Sequence, residues 1–310
     1  MKTSPILVVG SSNTDMIIKL ARIPRPGETI LGGAFVTAAG GKGANQAVGA
    51  ARAGGQVTFI ARVGQDMFGD QAVAGFVKDG INVDHVTRDK TNPSGVALIF
   101  VAKDGENSIA VAGGANAKLS PADVKKAKAA FSGASVLVIQ LETPLETVQA
   151  AADLAAKAGV RVILNPAPAQ PLPDKLLQQV SVLTPNETEA ELLTGIAVND
   201  DASAAAAAAK LRARGVQTVI ITLGARGAFV ATERGDQLVP GFKVKAMDTT
   251  AAGDVFNGAL AVALAEGTPL DLAVRFANAA AAISVTQLGA QPSAPTRPEI
   301  EKFLKKSNKG

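Results

Sequence analysis

Ser135-Val-Leu-Val-Ile-Gln140, then the run from Leu145 to Ala158, then Arg161-Val-Ile-Leu-Asn165 form the stretch that decides the fold. Two short, apolar, β-branched runs flank a longer segment of alanine, leucine and charged residues, the pattern of strand, helix and strand. Strands joined this way lie parallel, and their right-handed crossovers cover the sheet with helices. The pattern repeats outward. Val180-Ser-Val-Leu-Thr184 and Thr218-Val-Ile-Ile-Thr222 read as further strands around a helix from Ala202 to Arg214, and Ile6-Leu-Val-Val9 and Val57-Thr-Phe-Ile-Ala61 extend the sheet toward the N-terminus. The expected class is α/β: a doubly wound, mainly parallel sheet with helices on both faces. The alanine run 204–209 is a strong helix former to which no function attaches.

Two segments break the alternation. Asp15–Lys19, Glu28–Leu31 and Ala34–Thr37 read as β pieces without intervening helices, as do Gly95–Val101 and Ser108–Val111, which turn at Lys103-Asp-Gly-Glu106. An Asp-Gly between such runs marks a hairpin. A small sheet with one apolar face cannot stand alone in water, so it must cover the main body, a partner subunit or both. The expectation is a single domain over 1–310 with a β lid at about 15–38 and 95–112, shared across a homodimer.

Composition narrows the function. A chain of 310 residues with 47% hydrophobic content buries a substantial core. Cysteine is absent, which removes disulfides, thiolate zinc sites and a cysteine nucleophile, and fits a reducing cytoplasm. The opening MKTSPILVVGSS is too short in apolar residues for a signal peptide, and no apolar run reaches the roughly 18 residues of a membrane span. A soluble, cytoplasmic protein is expected. The net charge of +4 is spread out, and Trp and Tyr are absent, which argues against nucleic acid and membrane partners. The basic cluster from Lys302 to Lys309 reads as a fraying terminal helix. His85, the only histidine, reads as a surface residue, so a histidine triad or multi-histidine metal site has no material.

Gly40-Gly41-Lys42-Gly43-Ala44-Asn45-Gln46 looks built for an anion, yet neither phosphate motif fits. Val36 and Gly43 stand where a P-loop needs Gly and Ser or Thr, and Gln46 stands where a dinucleotide fingerprint needs Gly. No G-x-G-x-x-G follows Val8-Val9 either, which argues against a nicotinamide-dependent dehydrogenase. In an open parallel sheet ligands sit at the carboxyl ends of strands. The loops there carry Gly10–Asp15, Gln140–Glu142, Thr184–Glu189 and Thr222–Gly227. Asn13, Asp15, Lys42, Asn45 and Glu142 suit a molecule studded with hydroxyls, and Asn186 and Glu189 could hold water around a metal ion.

The strongest stretch is Met247-Asp-Thr-Thr-Ala-Ala-Gly-Asp254-Val-Phe-Asn-Gly258, a small-residue turn feeding an apolar helix. Such a turn aims backbone N–H groups at an anion, and a carboxylate beside it can take a proton from an attacking hydroxyl. Phosphoryl transfer asks for that combination.

Together GGKGANQA, TPNETEAE, ITLGARG, DTTAAGDVFNGAL and the tail Asn278–Ser293 resemble the PfkB carbohydrate kinase family, in this order over nearly the whole chain. The resemblance is greatest to members that phosphorylate ribose. It implies that Asp254 is the base for the sugar 5-hydroxyl, with Ala251, Ala252 and Gly253 as the anion hole. It places ribose among Asn13, Asp15, Gly41, Lys42, Asn45 and Glu142, so the glycine turn holds a sugar. ATP is implied along Asn186, Thr222, Gly224, Gly227 and Asn278, with magnesium held through water near Asn186 and Glu189. A potassium ion is implied beside Asp248, Thr250, Ser284, Gln287, Gly289 and Ser293. The family often has glycine where Ala251 stands, so ordinary helical or extended geometry is expected there.

Several of these residues also have plain structural readings. Asp254 and Asp248 could be caps, Asn186 and Glu189 have capping-box spacing, Lys42 could be a solvated charge, and Glu142 could be a helix-entry acid. Deoxyribose, fructose or a nucleoside are rival substrates, although a nucleoside would want more lid aromatics than Phe35 and Phe100. A catalytically silent sugar sensor is a further alternative.

Overall fold

The helix Leu145–Ala158 crosses between two parallel strands, with Val136 opposite Arg161 and Ile139 opposite Leu164. The structure, a computed structural model, describes residues 5–307; Lys309, the end of the basic cluster, and the first residues of the opening lie outside them. In chain order the strands are β1 (Ile6–Val9), β2 (Asn13–Leu20), β3 (Ala34–Gly40), β4 (Val57–Gly64), β5 (Asn82–Asp89), β6 (Gly95–Ala102) and β7 (Asn107–Ala112). They continue as β8 (Val136–Ile139), β9 (Arg161–Leu164), β10 (Val182–Leu183), β11 (Thr218–Thr222), β12 (Gly227–Thr232) and β13 (Gly235–Pro240).

The main sheet runs β13-β12-β11-β10-β9-β8-β1-β4-β5, parallel from β11 to β5, with β12 and β13 antiparallel at one edge. The central strands β1 and β8 are buried on both faces, which is why they read as unbroken apolar runs. Ile6 and Val8 of β1 join one core with the helices Lys42–Arg52 and Ala252–Ala265; Leu7 and Val9 join another with Leu145–Ala158 and Asp201–Ala213. Every residue from Asp254 to Leu264 is buried, so the helix Ala252–Ala265 has no solvent face over that span. At about 1.5–3 kcal/mol for each large apolar side chain, such burial fixes the helix rigidly, and its N-terminus with it.

The chain leaves β1 toward β4 and β5 on one side and later adds β8 on the other, so the strand order reverses between β1 and β8. A crevice opens at the carboxyl ends of two strands that diverge in this way. The loops after β1 and β8 flank it.

A smaller sheet, β3-β2-β6-β7, is antiparallel except for the parallel β2–β6 pair. The hairpin expected at Asp104-Gly105 joins β6 to β7. Phe35, Val36, Leu98, Ile109 and Val111 are exposed on this sheet.

Some elements differ from expectation. Glu28–Leu31 is loop: Gly27, Gly32 and Gly33 have positive φ, and the Glu28 carboxylate is tied locally to Arg22 and to the Arg25 N–H. The strand expected at Val180–Thr184 shrinks to Val182–Leu183, because Thr184 has already turned into the site. The β12–β13 hairpin is hidden in sequence by an outer strand whose residues, except Val239, are exposed. His85 is no simple surface residue; it pairs with Ile60 in β5 and is half-buried. Among the described residues no helix is long and apolar enough to cross a membrane.

Candidate active site

Across the crevice, Ser11 after β1 donates its hydroxyl to Glu142 Oε2 after β8 at 2.5 Å. The same oxygen accepts the Lys42 backbone N–H at 3.0 Å, so Glu142 joins the glycine turn to both strands. It is therefore more than a helix-entry acid. Gly41, with φ 89°, begins the helix Lys42–Arg52, and a Cβ there would lie 2.7 Å from the Asn13 nitrogen. Only glycine permits both the left-handed φ and that approach. Asn13 in turn accepts from Asn116 Nδ2 at 2.8 Å.

Asp254 lies at the centre. The helix starts at Ala252, so Asp254 is its third residue rather than a cap, and its carboxylate instead accepts from Asn45 Nδ2 at 3.0 Å and Gln46 Nε2 at 2.9 Å. The first intrahelical bond runs from Val255 N to Ala251 O, and no side chain caps this end. Among the described residues, the Gly253 and Asp254 N–H groups have no acceptor, and Ala252 N makes only a long 3.3 Å bond to Thr249 O. Orphan donors at a helix start form a ready anion hole.

Ala251 departs from expectation. Its φ is 59°, the left-handed region, and it alone among the described non-glycine residues has positive φ. The turn keeps the conformation that glycine would adopt freely, and alanine bears the strain there.

Burial raises the pKa of Asp254, against the opposing pull of Lys42, Asn45 and Gln46. Burial, Glu142 and the charge of Asp254 push Asp15 up to about 6. Burial alone would lower Lys42, but Asp254, Glu142, Glu189 and Asp15 outweigh it and hold the ammonium above the ordinary lysine value. Lys42 is thus a half-buried counter-charge for four carboxylates, not a fully solvated lysine. Glu189 is also raised by burial.

Two cavities meet at this point. One of about 170 Å³ is lined by Lys42, Asn165, Asn186, Glu189 and Asp254. The other, about 400 Å³ and largely apolar, is lined by Gly224, Gly227, Phe242, Val244, Phe256 and Asn278. Thr222, Thr249, Ala252 and Gly253 belong to both walls. Of the implied nucleotide residues, Gly224, Gly227 and Asn278 line the larger cavity and Thr222 both, whereas Asn186 lines the smaller cavity beside Asp254. Asn278 donates to Val239 O at 3.1 Å, tethering the end of β13.

Asn186 and Glu189 form the capping box their spacing allows: Asn186 Oδ1 accepts Glu189 N–H at 2.7 Å, and Glu189 Oε2 accepts Asn186 N–H at 2.9 Å. Glu189 Oε1 stays uncommitted on the cavity wall, which fits contact with a hydrated cation. Asp248 accepts from Thr250 N and Gly289 N, both at 2.9 Å, and the N–H groups of Met247 and Asp248 bond to Val285 O beside Ser284. Burial alone would raise Asp248, but those hydrogen bonds and Lys19 hold it below the ordinary range. Gln287 is exposed, and Ser293 is buried in the turn Gln291–Ser293, its hydroxyl spent on Ala290 O.

Sequence reasoning passed over Ser11, Gln46, Asn116, Asn165 and Asn257. Asn165 follows β9 directly, so the rule that ligands lie at strand ends was enough to find it. Asn257 lies one turn after Gly253 and donates to its carbonyl at 2.8 Å.

Residues 4–297 match the profile of the pfkB family carbohydrate kinases. The ribokinase of Haemophilus influenzae is 49% identical over 299 residues, 96% of this chain and 98% of that one. A deoxyribokinase of Salmonella typhi is 39% identical over 300 residues, 96% of this chain and 98% of that one. The solved structure of Arabidopsis thaliana ribokinase complexed with ribose and ATP is similar at a TM-score of 0.91 and 35% identity, covering 98% of this chain and 99% of that one.

Proposed function

The chain belongs to the pfkB family of carbohydrate kinases, and on that footing we propose that it transfers the γ-phosphoryl group of ATP to the 5-hydroxyl of ribose, giving ribose 5-phosphate and ADP. The observation that carries this reading is the shared wall of the two cavities. A nucleotide in the larger, apolar one reaches its terminal phosphate only past Ala252 and Gly253, and Asp254 faces the other side of that turn.

Asn13, Asp15, Gly41, Lys42, Asn45 and Glu142 hold the sugar, the carboxylates accepting from its hydroxyls and Lys42 and Asn45 donating to them. Asp254 takes the proton of the 5-hydroxyl. The oxygen attacks the γ-phosphorus in line, the bond to the β,γ-bridging oxygen breaks, and ADP leaves with the electron pair. The developing charge falls on the orphan N–H groups at the helix start. Asn186, Thr222, Gly224, Gly227 and Asn278 position ATP.

Glu189 Oε1 and Asn186 are the residues that would hold magnesium through water, where it would neutralise phosphate charge. Asp248, Thr250, Ser284, Gln287, Gly289 and Ser293 would surround potassium, several through carbonyl oxygens, shaping the field of the turn. The tight ties of Asp248 to both segments support that reading.

The exposed apolar side chains of the small sheet, with Phe35 64% and Ile109 56% exposed, support a lid that closes over the sugar and pairs with a second copy. The absence of cysteine supports a cytoplasmic setting.

ADP release from Mg-ATP, measured with ribose, deoxyribose, fructose and adenosine side by side in potassium and in sodium, tests the reading. Potassium-dependent turnover confined to ribose is expected. Preferred turnover of deoxyribose, the substrate class of the 39% identical relative, would keep the mechanism and reassign the sugar. Sugar binding without turnover on any of them would defeat the kinase assignment in favour of a sensor.

A further inference from the structure

Behind Asp254 lies a buried chain of amides with a single polarity. Thr184 presents its backbone carbonyl, which only accepts, so Asn165 turns Nδ2 toward it at 3.2 Å and is left with Oδ1 facing Gln46. Gln46 must then present Nε2, which donates to Asn165 Oδ1 at 3.0 Å and to Asp254 Oδ1 at 2.9 Å. Its remaining oxygen accepts from Gln140 Nε2 at 2.7 Å. The other hydroxyl and amide of the same cluster continue toward the anion hole: Thr184 Oγ1 donates to Asn257 Oδ1 at 2.7 Å, and Asn257 Nδ2 donates to Gly253 O at 2.8 Å. Gln46, Gln140, Asn165, Thr184 and Asn257 are all buried; among their side-chain polar atoms only Gln140 Oε1, at the end of the chain, has no partner among the described residues, and reversing the Gln46 or Asn165 amide would set like ends against each other.

From this geometry we infer that Gln46 is a positioning residue for the phosphoryl transfer, aiming the Asp254 carboxylate at the sugar and keeping it ionised, with Gln140 and Asn165 fixing which end of the Gln46 amide faces it. The carboxylate sits in a mixed field: Lys42 favours its charge, whereas Glu142, Asp15 and Glu189 oppose it. Against three acidic neighbours, the donors Asn45 and Gln46 supply directed stabilisation that charge balance alone does not. The second lone pair of each Asp254 oxygen stays available for the incoming proton. One chain thus locks the base and, through Asn257, the turn bearing the anion hole.

The inference rests on the reading of Asp254 as the base, so the wild-type kcat–pH profile on ribose comes first. No turnover by the wild type on any of the four substrates defeats that reading, before any variant is made. Gln46→Met keeps length and removes the donor; Gln140→Met leaves the donor but frees its orientation. The acid limb of kcat is expected to move to higher pH in Gln46→Met by roughly half to one unit, and in the same direction but less in Gln140→Met. The KM for ribose should stay within about two-fold, and the rate should recover on the alkaline side. An acid limb unmoved from wild type overturns the inference, whether the rate is lost evenly across pH or retained. If Gln46→Met does not fold, Gln140→Met decides by the same criterion.

Discussion

Phe303, on the helix Arg297–Ser307, sets its ring edge-on against Phe242 in the wall of the larger cavity, with centroids 5.2 Å apart and planes at 71°. The Arg275 guanidinium lies over the same Phe242 ring, 5.3 Å from its centroid. The wall of the larger cavity is therefore held from behind by the helix Arg297–Ser307, which also packs on the helix Leu270–Ser284.

Phe303→Ala should loosen that wall selectively. An aromatic pair contributes about 0.5–1.5 kcal/mol beyond area burial, which converts to a rise of roughly 2- to 12-fold in the KM for ATP. kcat and the KM for ribose should be unchanged, because Lys42 and Asp254, proposed to meet the sugar, line the smaller cavity across the turn. Steady-state kinetics varying each substrate in turn checks this, and a parallel rise in both KM values would defeat it.

Asp254→Asn should keep the fold and the sugar pocket while losing about 10²- to 10⁴-fold in kcat, the usual contribution of a positioned general base. Asn45 and Gln46 would each still find an acceptor in the asparagine oxygen, but not both at once. Calorimetric titration with ribose alongside the turnover assay separates the two effects. Loss of ribose binding equal to the loss of rate would assign Asp254 a structural role.

The sheet was legible in the sequence because buried parallel strands are apolar on both faces, and Val136–Ile139 and Arg161–Leu164 carry that mark plainly. The outer strand Gly235–Pro240 does not, since an edge strand exposed to water has little apolar signal. At the candidate site, the sequence singled out residues in the segments that follow strands or in small-residue turns: Asn13, Lys42, Glu142 and Asp254. Gln46 and Asn257 were not, because a buried amide is identified by its partners, and those lie 208 positions away for Gln46 and across the turn for Asn257. The conformation of Ala251 was misread for a related reason: residue identity predicts φ only where the surroundings do not overrule it.

Asp15→Asn should stabilise the sugar-free protein while weakening sugar binding. The Asp15 carboxyl sits at about 6 rather than the usual 3.8, so the folded protein holds its proton more tightly than the unfolded chain does. The sign follows from linkage: above pH 6 the folded state carries a half-buried charge beside other carboxylates that costs on the order of 2 kcal/mol, a cost that shrinks as pH falls through 6 and is gone below 3.8. The variant should therefore melt higher than wild type at pH 8, with the difference fading toward pH 4, and its KM for ribose should rise. Equal melting temperatures at pH 8 would mean that Asp15 is not desolvated in solution.

Ala251→Gly tests the strain at the mouth of the anion hole. An L-residue in the left-handed region costs roughly 1–2 kcal/mol, and glycine escapes this but loses about 0.5–1 kcal/mol more backbone entropy on folding. The net gain is up to about 1.5 kcal/mol, or about two degrees in Tm for a chain of this size. Because glycine adopts the same φ of 59°, the free N–H groups of Gly253 and Asp254 keep their aim, and kcat should stay within about two-fold. Ala251→Val should do the opposite, since a β-branched residue tolerates positive φ poorly. Its Tm and kcat should fall together as the turn shifts the donors off the phosphate. Thermal melting and kcat for both variants settle the matter: a glycine variant that melts lower than wild type would show that the turn relaxes out of the left-handed region, and the anion hole would then have to form only around its ligand.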